Sequence, residues 1–355
     1  MATPTFQRSE EVLTGSVSIL GMQYYVHEDI KGTEPSVDVL SAPPPGIVSI
    51  FRASADASAE SLRELGEAAR AVIDESLPET GAVLLRGIPA RTAEEFSIFW
   101  QGCKKGKSDR SWEEALYINF GRPRKKVAGV DSATNIPPEL SLNPHNELSY
   151  NPVQPSRICL YCIQPSKSGG ESIIARNEDI TDQVPQELAK YIEDHGGVMY
   201  ERSYRDANNV PNTDDGDTAL SRQLAISWQD KCGGVETREE AEQYWVDHGF
   251  QREHVIWEKD GTLRVRNIES GFIKDSKLGK RLWFNNLDTV GECPDGTGRP
   301  PRHLLQQFQA DRWKAVYAWR LQTGDWLVLD NLRMQHGRLP YPSGEERRLL
   351  TVLVA

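Results

Sequence analysis

Three observations predict an α+β fold for this 355-residue chain. Short runs rich in Val, Leu and Ile are bounded by Gly, Pro and Asn, the pattern of buried strands. Helical stretches interrupt these runs in no regular alternation, which argues against a doubly wound parallel sheet. No G-x-G-x-x-G follows a strand and no G-x-x-x-x-G-K-[ST] occurs, so nucleotide-cradling folds are disfavoured. The length is far more than a substantial core requires.

Residues 1–50 contain "SAPPPG" and little periodicity, and they read as an irregular arm wrapped on a single domain spanning 51–355. In "DASAESLRELGEAARAVIDESL", Leu62, Leu65, Ala69, Val72 and Ile73 form one apolar helical face, with Asp56 or Ser58 as the cap. "GAVLLRGIP" reads as a buried strand between Gly81 and Gly87. "TAEEFSIFWQGC" follows as a helix opened by Thr92 and Glu95 at capping-box spacing. After His145 come short strands, "SRICLYCI" and "SGGESIIA", and then a helix, "VPQELAKYIEDHG", ending at Gly196.

The polar stretch 203–223 reads as a long surface loop and a candidate lid, within an insertion around 203–260. "REEAEQYWVDHGF" and "PRHLLQQFQADRWKAVYAWRL" read as helices, the second being the longest amphipathic helix of this half. "GDWLVLDN" and "RRLLTVLVA" close the chain as strands.

A net charge of −11 argues against a nucleic-acid partner, because phosphate backbones are held by clustered Lys and Arg. The basic pieces "CKKGK" and "RPRKK" are short and read as solvated surface. With no run of about 18 apolar residues and no basic-then-apolar start, the expectation is a cytoplasmic protein without a membrane partner. Five scattered cysteines argue against a disulfide framework. Cys159 and Cys162 make one C-x-x-C, but the surrounding "RICLYCI" reads as a core strand with buried thiols.

His145 and Glu147 sit two residues apart in "SLNPHNELSY". In an extended segment both side chains point to one face, where they can reach one metal ion. By itself H-x-E is common and weak, and an ordinary turn leading into a strand is the favoured reading of it alone. His336, just beyond "DWLVLDN", offers a distant second imidazole. Two His and one carboxylate on one face of an octahedron leave three positions open, as in non-haem Fe(II) oxygenases. A zinc hydrolase could use the same three groups. The other histidines (His27, His195, His248, His254 and His303) lack ligand-like spacing.

Taken in order, "GAVLLRG", "HNELSY", "PSRICLYC", "SGGES", "LWFNN" and "DNLRMQHGR…RR" resemble the landmarks of the TauD/TfdA-like Fe(II)/2-oxoglutarate dioxygenases over residues 80–355. The resemblance is closest to the clavaminate synthase-like and SyrP-like branch, which also uses H-x-E. It implies a double-stranded β-helix, or jelly-roll, with flanking helices. It further implies that His145, Glu147 and His336 bind Fe(II), and that Ser172 and Arg348 bind 2-oxoglutarate. On this reading Arg347 lies on the opposite strand face, at the surface. Asn143, Tyr150, Trp283 and Asn285 are candidates for contact with substrate.

The implied reaction consumes 2-oxoglutarate and O2, releases succinate and CO2, and hydroxylates, desaturates or epoxidises a small amino-acid-like or secondary-metabolite substrate. Glu147 fills the position that halogenating relatives leave for chloride, so chlorination does not fit. The taurine enzyme binds sulfonate through an arginine four residues after the 2-oxoglutarate arginine; counted from Arg348 that position is Val352, which disfavours a sulfonate. The alternative is a non-catalytic jelly-roll that binds a small molecule. Oligomeric state is not legible.

Overall fold

The computed structural model describes residues 5–104, 112–115, 124–133, 136–210, 226–275 and 279–355. Its larger sheet runs β1 (Phe6–Arg8), β5 (Ser49–Ala53), β6 (Ala82–Arg86), β18 (Trp326–Asp330), β10 (Arg157–Gln164), β20 (Arg348–Val354), β8 (Val130–Ser132), β7 (Lys126–Val127). The smaller sheet runs β17 (Tyr317–Trp319), β11 (Ser172–Arg176), β19 (Met334–Arg338), β9 (Leu140–His145), β3 (Gln23–Tyr25). A third sheet joins β12 (Val198–Tyr204), β14 (Leu263–Glu269) and β13 (Val255–Trp257). Two ribbons, β2 (Ser16–Ser18) with β4 (Val39–Ser41) and β15 (Phe272–Lys274) with β16 (Arg281–Trp283), complete the strands.

Strict alternation along the central strands builds two cores from one sheet. Val83, Leu85, Cys159, Tyr161, Trp326, Val328, Leu350 and Val352 face helices α1 (Leu62–Thr80) and α2 (Ala93–Lys104). Their neighbours Leu84, Ile158, Leu160, Cys162, Leu327, Leu329, Leu349 and Leu353 face the smaller sheet, meeting Ile174, Trp319 and Met334. The C-x-x-C pair is thereby split between the two faces, and both thiols are buried. The two helices approach closely because Gly66 and Gly102 carry no Cβ; one added at either would lie 2.1 Å from a carbonyl oxygen of the other helix.

The capping box at Thr92 forms as expected: Glu95 N–H donates to Thr92 Oγ1 at 3.2 Å and Thr92 N–H to Glu95 Oε2 at 3.1 Å. A 3-10 turn capped at Ser58 precedes α1. Two expectations need correction. The N-terminal arm is woven into the fold, since β1 and β3 pair in the two large sheets. The expected long helix from Pro301 is helical only over Arg302–Asp311; a 3-10 turn follows and Tyr317–Trp319 becomes β17, because that edge pairs with β11.

The stretch expected to be a surface loop begins as strand, with β12 extending to Tyr204. Residues 211–225 lie outside the described residues, as do 105–107 and 122–123 of the two basic pieces. The region beyond Tyr204 has its own small core of Trp228, Ala241, Trp245, Phe250, Val255, Leu263 and Val265. Among the described residues no helix is long and apolar enough to cross a membrane.

Candidate active site

His145 ends β9 and His336 lies within β19, and the two are direct cross-strand partners. Their rings stand 4.3 Å apart between centroids. Glu147 enters from the turn after β9, where Leu148 takes a left-handed φ of 54°, a strained value for a branched side chain. One ligand atom from each of His145, Glu147 and His336 lies within 4.8 Å of the others. Glu147 Oε2 is 3.5 Å from His336 Nε2. His145 Nδ1 is bonded to the Asn143 carbonyl at 2.9 Å, which leaves Nε2 free to face inward.

Glu147 is placed by its backbone. Its N–H donates to Asn331 Oδ1 at 2.7 Å, and Asn331 Nδ2 donates back to the Glu147 carbonyl at 3.0 Å and to the Pro155 carbonyl at 2.9 Å. Asn146 ties the same turn to the carbonyls of Asn331 and Met334. Both asparagines are buried.

Burial opposes ionisation of Glu147, but Arg124, 3.1 Å from both carboxylate oxygens, and the two histidines hold its pKa well below the usual carboxylate range. Burial, with His336 beside it, lowers His145 to about 4. At neutral pH the cluster therefore presents an ionised carboxylate and a neutral His145, as a divalent metal requires.

A pocket beside the cluster is lined by His336, Arg124, Ser172, Arg347, Leu142, Ile158, Leu160, Leu349 and Thr351, with Ala133, Gly337 and Arg338. Arg347 Nε donates to the Gly170 carbonyl at 3.0 Å and Nη2 to Ser172 Oγ at 3.3 Å. Burial, and Arg338 nearby, pull Arg347 down to about 10, the state of a cation without a matching anion. The neighbouring Arg348 is exposed and donates to Gln164 Oε1 at 3.0 Å. The expected facing of the pair is thus reversed. Leu349 and Leu353 face inward and Thr351 lines the pocket, so Arg347 shares their parity, whereas Arg348 shares that of Leu350, Val352 and Val354, toward the helices.

The family model described as taurine catabolism dioxygenase TauD, TfdA family matches residues 41–353. This chain belongs to the TauD/TfdA family. It is a non-haem dioxygenase that depends on Fe(II) and 2-oxoglutarate. Among curated proteins, the dapdiamide synthesis protein DdaC of Enterobacter agglomerans is 28% identical over 307 residues, covering 79% of this chain and 84% of that one. A clavaminate synthase-like protein of Arabidopsis thaliana is 27% identical over 300 residues, covering 79% and 83%. Among solved structures, AAD-2 with Mn(II) and N-oxalylglycine aligns with a TM-score of 0.49 at 14% identity over 89% of this chain and 96% of that one. Asparagine oxygenase with Fe(II), hydroxyasparagine and succinate gives 0.47 at 13%, covering 83% of each.

The residues present suit the iron of a TauD/TfdA enzyme: two nitrogens and one carboxylate oxygen converge, with the second histidine nitrogen already bonded on His145. None of the four substrate candidates lines the pocket beside the cluster. Trp283 is fully buried against Phe272 and Phe308, and Asn285 is bonded to the Gly271 carbonyl and the Leu287 N–H. Asn143 Nδ2 is committed to Asp288 and Gln309. Tyr150 packs its ring at the junction of two cores, 6.2 Å from Tyr200. Sequence reasoning missed Arg124, Asp288, Arg312 and Asn331; Asn331 follows a strand in "LVLDN", and that was the available signal.

Proposed function

We propose that His145 and His336, through Nε2, and Glu147, through one carboxylate oxygen, hold Fe(II), and that 2-oxoglutarate fills the adjoining pocket with its distal carboxylate on Arg347 and Ser172. The observation that carries this reading is that His336, Ser172 and Arg347 line one pocket, which at about 20 Å³ must widen to admit the diacid. Ser172 and Ile174, the β11 residue paired with His336, are two positions apart. That is on the order of 7 Å along a strand, the reach of a five-carbon diacid that chelates at one end. Arginine suits the far end because its planar fork meets a carboxylate with two parallel hydrogen bonds. We read the two facing sheets as the double-stranded β-helix of the family.

When bound, Fe(II) and 2-oxoglutarate couple decarboxylation of the diacid to oxidation of a substrate C–H bond. The chain's residues supply position and dryness. Leu142, Ile158, Leu160 and Leu349 wall the diacid from water, and Arg124 balances the Glu147 charge. Hydroxylation of a small amino-acid-like metabolite is the reading we favour, in keeping with a relative whose name concerns dapdiamide synthesis. A second cavity of about 240 Å³, sharing Arg124 and Thr351 with the first and also lined by Lys126 and Asp131, offers both charge signs to such a molecule. Counted from Arg347, the position that carries the sulfonate arginine in the taurine enzyme is Thr351, so a sulfonate remains disfavoured.

The test is a screen of amino acids and small peptide metabolites with Fe(II), 2-oxoglutarate and O2. At least one is expected to raise succinate release above the substrate-free level and to gain one oxygen. Saturable binding of a metabolite with no succinate release would instead support the non-catalytic reading.

A further inference from the structure

Arg312 is 1% exposed and lies far in sequence from both histidines. Its guanidinium nevertheless reaches the residue preceding each of them. Nη2 donates to the carbonyl of Pro144, next to His145, and to Oε1 of Gln335, next to His336, at 3.3 Å. Nη1 donates to Asp288 Oδ2 at 2.7 Å, and Asp288 is itself 3% exposed. That same carboxylate oxygen accepts Asn143 Nδ2 at 3.0 Å, while Asn143 also donates to Gln309 at 2.9 Å. The Asn143 carbonyl in turn bonds Nδ1 of His145.

We infer that the buried Arg312–Asp288 pair is the positioning element of the metal site, setting the spacing of His145 and His336 and the orientation of the His145 ring. The inference rests on the reading of His145, Glu147 and His336 as metal ligands. Between β9 and β19 the pairing is irregular: His336 opposes His145, but Arg338 opposes Leu142. The ladder there skips a residue, so regular strand hydrogen bonds do not by themselves fix where His145 stands. A guanidinium can do so, because one rigid plane carries donors pointing at three acceptors at once. A buried ion pair adds little net stability against a well-packed apolar replacement, which makes a positional role the better account of its presence. Arg312 also stacks over Phe308, 5.0 Å from the ring centroid, which fixes the plane itself.

The experiment measures Mn(II) affinity and the ligand-field spectrum of the Co(II)-substituted protein for Arg312→Lys, Arg312→Gln, Asp288→Asn, Gln335→Leu and the Asp288→Asn/Arg312→Gln double variant. Unfolding curves for each allow comparison at equal folded fraction. Arg312→Lys and Asp288→Asn are expected to weaken Mn(II) binding by about tenfold to a hundredfold while folded, as losses behind a ligand typically do, and to change the Co(II) spectrum. Gln335→Leu, which disturbs only the His336 side and keeps the buried pair, is expected to cost several-fold and serves if the charge variants fail to fold. The double variant should bind no more weakly than the worse single one, because the two residues act as a unit.

Wild-type affinity and an unchanged spectrum in the folded variants, or a fully additive double variant, would overturn the proposal. His145→Ala and His336→Ala separate this from failure of the underlying reading. If those two bind Mn(II) normally, the ligand assignment is wrong; if they do not while the Arg312 and Gln335 variants bind as wild type, only the positioning role falls.

Discussion

The Arg347 guanidinium lies 3.3 Å from the Ser172 hydroxyl and ties the start of β20 in the larger sheet to β11 in the smaller one. It is a cation held inward at the far end of the pocket that His336 also lines.

Arg347→Ala is therefore expected to strand a bound distal carboxylate, at a cost of roughly 3 to 5 kcal/mol. The dissociation constant for 2-oxoglutarate then rises about a hundredfold or more. Arg348→Ala, on the exposed side, should shift it less than about threefold, and Arg347→Lys should rescue only in part. Isothermal titration with 2-oxoglutarate and Mn(II) reads all three, and a large effect at Arg348 would return the assignment to the outer arginine.

Asn331→Ala removes a fully buried carboxamide that serves the Glu147 N–H, the Glu147 carbonyl and the Pro155 carbonyl. Leaving such groups unpaired costs about 2 to 4 kcal/mol in unfolding free energy. Mn(II) affinity should fall by tenfold or more, because the turn that aims Glu147 is freed. Urea denaturation and metal titration check the two effects separately, and a loss of stability with full metal affinity would limit Asn331 to a folding role.

Gly337→Ala tests the closeness of the two ligand strands. A Cβ at this position would lie 2.3 Å from the Leu142 carbonyl oxygen and 2.9 Å from that of Asn143, both backbone atoms of β9. The strands must part next to His336, so Mn(II) binding should weaken along with stability, by about 1 to 3 kcal/mol for the latter. Gly344→Ala, which strains a backbone at φ 89° but meets open space, is the control: it should cost stability without weakening metal binding.

The depressed pKa of His145 has a pH consequence in the presence of a chelator. The folded ring takes a proton at about 4, the unfolded one near 6.5. Between these values the unfolded chain binds more protons, so stability is full above pH 6.5 and declines as pH falls toward 4. Allowing for the partial exposure of the ring, the decline attributable to His145 is about 2 kcal/mol. The unfolding free energy of wild type should fall more steeply across this window than that of His145→Gln, and parallel pH dependences would remove His145 as the source.

Much of this was legible beforehand because it depends on local pattern. Apolar periodicity marked α1, α2 and the central strands, and Thr92 with Glu95 announced its own cap. His145, Glu147 and His336 were recognisable through ordered landmarks, and the structure brings them together. The facing of Arg347 and Arg348 was misjudged because parity was assigned without an anchor on the strand; Leu349, Leu353 and the pocket-lining Thr351 supply it only once the two sheets face each other. Trp283 and Asn285 looked like site residues because polar and aromatic groups mark pockets and cores alike. Arg312 was invisible for a different reason: its partners at 144, 288 and 335 are joined only by tertiary folding.

The most direct test of the account is anaerobic addition of Fe(II) and then 2-oxoglutarate to the metal-free protein, followed by visible absorption. A weak charge-transfer band from the chelate should appear in the wild-type protein at about one iron per chain, vanish in Glu147→Ala and His336→Ala, and require far more 2-oxoglutarate in Arg347→Ala. No band in the wild type, or a band of full strength in Glu147→Ala and His336→Ala, would contradict the assignment of the iron and its cosubstrate to this site.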